Sequence, residues 1–315
     1  MDHFHVSATG HSVNYLPEYI ATWRGFFADE QLEVTASVPR PWDGVLDELA
    51  SGEANAVLGG IWVPAMHLGR STPYVAFAQV AARAPLAIVG REDANAFTWS
   101  AMARGVIAMK GSNGASVGLY IKMLLRENGI DPTAVKYIQD LDGALLSKLF
   151  SGGMADYVVI DYPAALALEA AGGGRIVAPL ASIGGNVPWS VYYTEGQTMV
   201  GNGASKASVN EPKLVLQTRF CRALARGMDW ILAHDASEYR DFLQHTFPRF
   251  DGDLLVSLVN SYRAIGMWTT PRIDHDAYDR WQHGIADGHL ISAPIPYDDL
   301  IDLRPCALFP VSVAR

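Results

Sequence analysis

The sequence predicts an α/β protein of two lobes, each a mixed sheet flanked by helices, followed by a helical C-terminal region. Three observations support this prediction. Short apolar runs alternate with longer amphipathic patterns, which is typical of strands joined by crossover helices. This alternation starts a second time after residue 90, and the last third of the chain has mainly helical patterns. A chain of 315 residues is also long enough to bury two cores.

The first unit contains four predicted strands and three predicted helices. Val45, Leu46 and Leu49 give the second helix one apolar face, and Gly52 ends it. The predicted strands cover residues 4–8, 32–36, 54–58 and 74–80, and the helices 16–27, 43–51 and 61–68.

The second unit repeats this order after the apolar run 85–90. Gly129 and Pro132 end its first helix. Residues 149–156 (LFSGGMAD) also resemble residues 49–55 (LASGEAN) of the first unit. The predicted strands are 106–109, 135–138 and 157–160, and the helices are 116–128 and 142–151.

The remaining chain is predicted to return to the first lobe and end in helices. Residues 189–193 alternate as a returning strand, and the Gly- and Ser-rich segment 196–210 is predicted to be a mobile surface loop. We therefore assign 1–87 and 191–315 to lobe one and 88–190 to lobe two, with crossings near 87–90 and 190–193. Helices are predicted over 212–234, 237–246, 253–265 and 276–288.

Composition argues against several kinds of partner. A net charge of −9 and a pI near 5.4 leave no basic stripe for nucleic acid or an anionic membrane surface. The two cysteines, Cys221 and Cys306, are too few for a disulfide framework or a thiolate zinc site, and Cys221 fits ordinary core packing. His3 and His5 share a strand face without a third metal ligand. We expect no metal and no cofactor.

The N-terminus shows no basic segment followed by an apolar one, and no stretch is apolar enough to span a membrane. We therefore expect no membrane insertion. The protein is expected in the periplasm or cell envelope if a leader was removed before Met1, and in the cytoplasm if Met1 is the native start.

The loop after the first strand is predicted to line a ligand site between the lobes, because ligands bind at the carboxyl ends of strands. Gly10 permits close approach, His11, Ser12 and Asn14 offer polar contacts, and Tyr15 offers a flat face. The alternative is that Ser12 or Asn14 caps the next helix, and that His11 is a solvated surface residue.

Two further loops of lobe one carry candidates. Trp42 is the favoured stacking platform, and ordinary packing of its indole is the alternative. Arg40 beside it could pair with an anionic group or equally lie in solvent. Gly59 and Gly60 precede the predicted helix 61–68, so their backbone N–H groups could face a ligand, and Trp62 is a further aromatic candidate at the rim. A turn with positive φ is the alternative for this glycine pair.

In lobe two the corresponding candidates follow the strands of its sheet. Residues 110–116 (KGSNGAS) contribute Ser112, Asn113 and Gly114, in a spacing that matches no nucleotide-binding motif. Asp140 and Asp161 end strands and would favour a ligand with N–H donors, or would simply cap the next element. Trp189 precedes the returning strand and could close the other face of a stacked ring.

Several phrases resemble one family in order along nearly the whole chain. Residues 15–21 (YLPEYIA) and 25–34 (GFFADEQLEV) resemble the opening of the nitrate, sulfonate and taurine solute-binding proteins and of the related thiamine-pyrimidine-synthase-like branch. Further matches are residues 51–54, 124–132, 223–230, 266–281 and 296–300. The resemblance implies a type II periplasmic-binding-protein-like fold with ligand capture between lobes.

The resemblance leaves transport and catalysis open. It implies that the desulfinase branch carries a cysteine in the first loop and an arginine before the paired glycines, where this chain has His11-Ser12 and Val57-Leu58. The cysteine-rich run of the thiamine-pyrimidine synthases is also missing. Our first hypothesis is a solute-binding protein that presents a small planar heteroaromatic or anionic compound to an ABC transporter permease. The alternative is a cytoplasmic enzyme or ligand sensor, with His11 and Asp161 or Asp140 as an acid–base pair.

Overall fold

Two five-stranded mixed sheets form the framework of the protein. The computed structural model describes residues 1–70, 72–91, 97–111, 115–141, 143–196 and 211–309. The strands are β1 (Asp2–Ala8), β2 (Leu32–Ser37), β3 (Ala56–Gly59), β4 (Tyr74–Ala81), β5 (Leu86–Gly90), β6 (Val106–Lys110), β7 (Lys136–Leu141), β8 (Tyr157–Asp161), β9 (Arg175–Pro179) and β10 (Ser190–Glu195).

Helices cover the sheets and form the C-terminal region. Short 3-10 helices occur at Val13–Tyr15, Pro132–Ala134, Ala236–Tyr239 and Arg304–Cys306. The α-helices are α1 (Leu16–Trp23), α2 (Phe26–Asp29), α3 (Gly44–Ala50), α4 (Trp62–His67), α5 (Trp99–Arg104), α6 (Ser116–Glu127), α7 (Gly143–Ser151), α8 (Tyr162–Ala170), α9 (Leu180–Ile183), α10 (Glu211–Ala233), α11 (Arg240–Thr246), α12 (Gly252–Ala264), α13 (His275–Asp287) and α14 (Tyr297–Leu300).

The two sheets share one topology. The strand order is β2-β1-β3-β10-β4 in the first sheet and β7-β6-β8-β5-β9 in the second. In each sheet the fourth strand of this order enters from the other unit and runs antiparallel to both neighbours. In the first sheet β10 pairs with β3 and β4, and in the second β5 pairs with β8 and β9. This arrangement confirms the predicted two-lobe α/β fold and the returning strand.

The elements of the first unit follow the predicted order. Phe4, Val6 and Ala8 of β1 are buried, because alternate side chains of a strand face the core. The predicted helix 16–27 is two helices, since Gly25 adopts φ +74° between α1 and α2. An L side chain rarely adopts that conformation, so a glycine is required at this break.

Within its described residues, the second unit contains four helices and strands that the sequence patterns did not indicate: α5, α8, β9 and α9. The shared phrase is confirmed as shared structure, because α3 leads into β3 as α7 leads into β8. In both turns a glycine takes a positive φ, Gly52 at +77° and Gly153 at +80°. Of the predicted loop 196–210, residues 197–210 lie outside the described residues.

The chain crosses between the sheets at residues 82–85 and again after α9. These crossings precede the predicted positions, since β5 already begins at Leu86 and residues 190–193 belong to β10. Backbone hydrogen bonds join the second crossing to the start of the first. Val187 N–H donates to the Ala82 carbonyl at 3.0 Å, and Trp189 N–H donates to the carbonyl of Ala81, the last residue of β4, at 3.1 Å. Arg83 also donates to the carbonyl of Ala181 at 3.2 Å.

The C-terminal helices contact both halves of the chain. Helix α10 packs on α1, where Gly227 lies against the Pro17 carbonyl. Helix α13 instead packs on α6, and Arg280 forms two 2.7 Å hydrogen bonds with the Glu127 carboxylate. Helix α13 thus joins lobe two to the C-terminal region. Within the described residues, no helix is both long and apolar enough to cross a membrane.

Candidate functional site

A cavity of about 180 Å³ lies where loops from both sheets meet. Its walls come from the loop after β1, the start of α4, the first crossing, the ends of β6 and β8, the start of α6, and Trp189 and Ser190. The carboxyl ends of the parallel strands of both sheets converge here, as expected for an open α/β fold. The volume is below the about 300–1,000 Å³ usual for drug-sized ligands, so it suits a small molecule.

Aromatic rings form much of the apolar wall. Trp42 and Trp62 meet edge to face, with centroids 5.9 Å apart, and Trp62 is buried. A third lining ring, Trp189, packs against Tyr120 of α6 and Trp281 of α13, with centroids 5.3 and 6.2 Å apart. Packing therefore holds these rings in place before any ligand enters.

The first loop is held by hydrogen bonds within the site and not by helix capping. Ser12 donates to the Asn14 side-chain oxygen, and the Asn14 amide donates to Ser190 at 3.1 Å. The Asn14 carbonyl accepts from the Trp268 indole at 2.9 Å. Neither Ser12 nor Tyr15 makes a side-chain cap, so the capping alternative for Ser12 and Asn14 is wrong.

Tyr15 presents a protonated hydroxyl to the same polar side of the cavity. Burial raises the pKa of Tyr15 above its ordinary value of 10, and hydrogen bonds with Thr9 and Ser190 oppose that shift. Thr9, Ser116 and Ser190 also line the cavity. The polar side therefore consists of neutral groups that can both donate and accept.

His11 lies at the rim of the cavity, and both of its ring nitrogens form hydrogen bonds with residues assigned to lobe one. Nε2 is 2.9 Å from the Thr246 carbonyl, which can only accept, so this nitrogen carries the proton. Nδ1 accepts from the Tyr19 hydroxyl at 3.1 Å, and the ring stacks on Tyr19 and Phe247. The described partners of His11 do not include Asp161, so the suggested acid–base pair between them is not formed.

Lys110 and Asp161 form an ion pair across the lobe-two side of the cavity. Lys110 ends β6 and Asp161 ends β8, and the ammonium nitrogen is 2.5 Å from the carboxylate. Asp161 makes no helix cap, so that alternative is wrong for this residue. Because Lys110 balances its charge, Asp161 does not make the cavity acidic, and the pair offers a ligand one cationic donor and one anionic acceptor.

The paired glycines are explained by packing. Neither Gly59 nor Gly60 has a positive φ, so the turn alternative is wrong. A Cβ on Gly60 would lie 2.4 Å from the indole nitrogen of Trp62, and one on Gly59 would lie 3.0 Å from Thr9. Gly60 is therefore needed for Trp62 to fold back over the loop.

The predicted site residues divide into three groups. Arg40 is exposed and does not line the cavity, and Gly59 lies behind it in β3. Ser112, Asn113 and Gly114 lie outside the described residues, as does the side chain of Asp140 in β7. The structure brings together Gly10, His11, Ser12, Asn14, Tyr15, Trp42, Gly60, Trp62, Asp161 and Trp189.

Sequence reasoning missed Lys110 and the hydroxyl residues Thr9, Ser116 and Ser190. Lys110 could have been found, because it stands at the carboxyl end of a predicted strand immediately before the polar loop of lobe two. The three hydroxyl residues carry no comparable signal. Among the residues that the structure describes, no cluster of three or more His, Cys, Asp or Glu side chains is placed to bind a metal ion.

Comparison with known proteins places this architecture in a family. The family model described as NMT1/THI5 like matches residues 12–237. The chain is similar to YtlA, a candidate binding protein of Bacillus subtilis (strain 168), with 26% identity over 306 residues that cover 94% of this chain and 86% of that protein.

Solved structures share the fold at lower identity. The periplasmic sulfonate-binding protein SsuA of Methylobacillus flagellatus KT is 14% identical with a TM-score of 0.70, covering 98% of this chain and 93% of that one. The periplasmic aliphatic sulphonate-binding protein SsuA of Escherichia coli is also 14% identical, with a TM-score of 0.69 and coverage of 96% and 97%. These likenesses confirm the periplasmic-binding-protein-like fold.

Proposed function

The chain belongs to the NMT1/THI5-like family, and on that premise we propose that it is a solute-binding protein. It captures a small planar compound, heteroaromatic or anionic, between its lobes and delivers the compound to an ABC transporter permease. The similar proteins named as periplasmic binding components support this role and a location outside the cytoplasmic membrane.

One observation carries the proposal: both sheets contribute residues to the same small cavity. Trp42, Trp62 and Tyr15 line it from the side of the first sheet, and Lys110 and Asp161 line it from the second sheet. A ligand that contacts both halves favours the arrangement in which they approach each other, since it binds that arrangement more tightly. Ligand-dependent closure is the property that a transporter can recognise.

The lining indicates what kind of compound fits. The tryptophan rings that line the cavity, Trp42, Trp62 and Trp189, favour a flat ring, because stacked or edge-to-face aromatic contacts contribute about 0.5–1.5 kcal/mol beyond their area. Thr9, Ser12 and Ser190 can satisfy polar atoms at the edge of that ring, and Lys110 can bind a carboxylate or sulfonate if it leaves Asp161. Pyrimidines and aromatic carboxylates or sulfonates meet these requirements.

A thermal-shift screen tests the proposal directly, because a ligand that binds only the folded protein raises its melting temperature. The panel comprises pyrimidines, aromatic carboxylates, sulfonates and nitrate. We expect a saturable shift with a planar compound, recovered chemically unchanged by mass spectrometry. Conversion of the compound into a product would contradict the carrier role.

Variants then test whether the compound occupies the cavity. Trp42→Ala should weaken binding by about 1–3 kcal/mol, or about 5- to 150-fold in Kd, through the loss of a stacking surface. Trp23→Ala is the matched control, since Trp23 is exposed on α1 and packs against Phe242 away from the cavity. Equal affinity of the two variants, measured by titration calorimetry, would place the ligand elsewhere.

A further inference from the structure

The two cysteines of the chain lie side by side in the core. Cys221 and Cys306 are 85 residues apart in sequence, yet their Sγ atoms are 3.2 Å apart. Both residues are fully buried, and no other cysteine occurs in the 315 residues. Sequence patterns indicated only ordinary packing for Cys221, because nothing in the sequence shows that the two residues meet.

The contact joins helix α10 to the C-terminal segment of the chain. Cys221 lies in the middle of α10, and Cys306 ends the 3-10 helix at Arg304–Cys306. This C-terminal segment runs beside β4: Asp302 N–H donates to the Ala76 carbonyl at 2.8 Å, and the Cys306 thiol lies 3.2 Å from the Phe77 carbonyl. A covalent link at Cys306 would fasten the segment to α10.

We infer that Cys221 and Cys306 form a disulfide bond that anchors the C-terminal segment to α10 when the protein folds in an oxidising compartment. Two sulfurs in contact inside a rigid core need to approach by only about 1 Å to reach the bonded distance of about 2.05 Å. The inference goes beyond the proposed function, since it concerns the redox state of the core and not the ligand.

The bond forms by exchange with an external disulfide, such as oxidised glutathione. One cysteine thiolate attacks a sulfur of that disulfide and releases one glutathione thiol. The second cysteine thiolate then attacks the protein sulfur of the mixed disulfide and releases the other thiol. The two cysteines lose two protons and two electrons, and the oxidant gains the electrons as two thiols. Because both residues are buried, the exchange takes place during folding.

Alkylation and intact mass test the inference on the full chain. The protein is unfolded with reductant, refolded in a buffer of oxidised and reduced glutathione, then denatured without reductant in the presence of iodoacetamide. We expect a mass lower by two hydrogen atoms than that of the reduced chain and no alkylation. Prior reduction should give two alkylated cysteines. Alkylation of both cysteines without reduction, or glutathione attached to either one, would overturn the inference.

Melting temperature provides the second measurement. The oxidised protein should melt at a higher temperature than the reduced protein, because the disulfide bond reduces the conformational entropy of the unfolded chain. Cys221→Ala and Cys306→Ala should each abolish this redox dependence, and each serves as the control for the other. A redox-dependent shift that persists in either variant would assign the effect to something other than this pair. Neither readout involves ligand, so the result is independent of the proposed binding role.

Discussion

Glu18 is a buried carboxyl group that should make the stability of the protein depend on pH. It lies in the first turn of α1, is 3% exposed, and accepts a 2.6 Å hydrogen bond from the Tyr192 hydroxyl. Burial raises the pKa of Glu18 from 4.5 to about 7, and the hydrogen bond from Tyr192 opposes that shift only in part. The folded protein therefore holds a proton at Glu18 that the unfolded chain releases near pH 4.5.

The sign and size of the effect follow from this difference in pKa. The folded state binds more protons between pH 4.5 and 7, so the free energy of unfolding decreases as the pH rises through that interval. A shift from 4.5 to about 7 at about 1.36 kcal/mol for each pH unit amounts to about 3 kcal/mol. Below pH 4.5 Glu18 contributes no pH dependence, and above pH 7 the destabilisation is complete.

Glu18→Gln isolates this contribution, because glutamine keeps the shape and can still accept from Tyr192 but does not titrate. We expect urea unfolding to show the variant gaining about 3 kcal/mol relative to the original protein between pH 4.5 and pH 8. Glu53→Gln is the matched control, since it makes the same change of side chain at an exposed position. Parallel stability curves for the original protein and Glu18→Gln would refute the reasoning.

Two further substitutions test packing and the cavity. Gly227→Ala should destabilise the protein by about 1–3 kcal/mol in urea unfolding, because its Cβ would lie 2.4 Å from the Pro17 carbonyl oxygen. Gly10→Ala is the control and should leave stability unchanged, because its Cβ would meet no atom within 4 Å. Equal effects would contradict close packing of α10 on α1. Lys110→Met should weaken binding of an anionic ligand by about 1.5–3 kcal/mol in calorimetry, while Lys148→Met, on the exposed face of α7, should not. The lysine assignment fails if both bind alike.

Most of the fold could be predicted, because its signals are local. Hydrophobic alternation located β1, β2 and β4, and glycines ended the helices where a positive φ was needed, as at Gly129. The helix α8 was missed because its residues 162–170 are mostly alanine and leucine on every side, so no polar face distinguishes it. The bridging position of α13 was missed because helix-to-helix contacts carry no periodic signal.

The candidate site was predictable only where a loop follows a strand. That rule brought Ser12, Trp42 and Asp161 to one cavity, but it cannot tell which side chains turn inward. Arg40, two residues from Trp42, points to solvent, and His11 uses both nitrogens to hold the loop against Thr246 and Tyr19. The contact between Cys221 and Cys306 likewise depends on tertiary packing alone.

Trp189 links the cavity to the connection between the lobes. Its backbone N–H donates to the carbonyl of Ala81, the last residue of β4 before the first crossing, and its ring lines the cavity while packing on Tyr120 of α6 and Trp281 of α13. A ligand that stacks on this ring would therefore contact a residue whose backbone lies in the second crossing and whose side chain packs on α6 and α13. If the protein binds its ligand as proposed, we expect binding energy gained at Trp189 to act directly on the relative position of the lobes, with no separate relay between the ligand and the crossings.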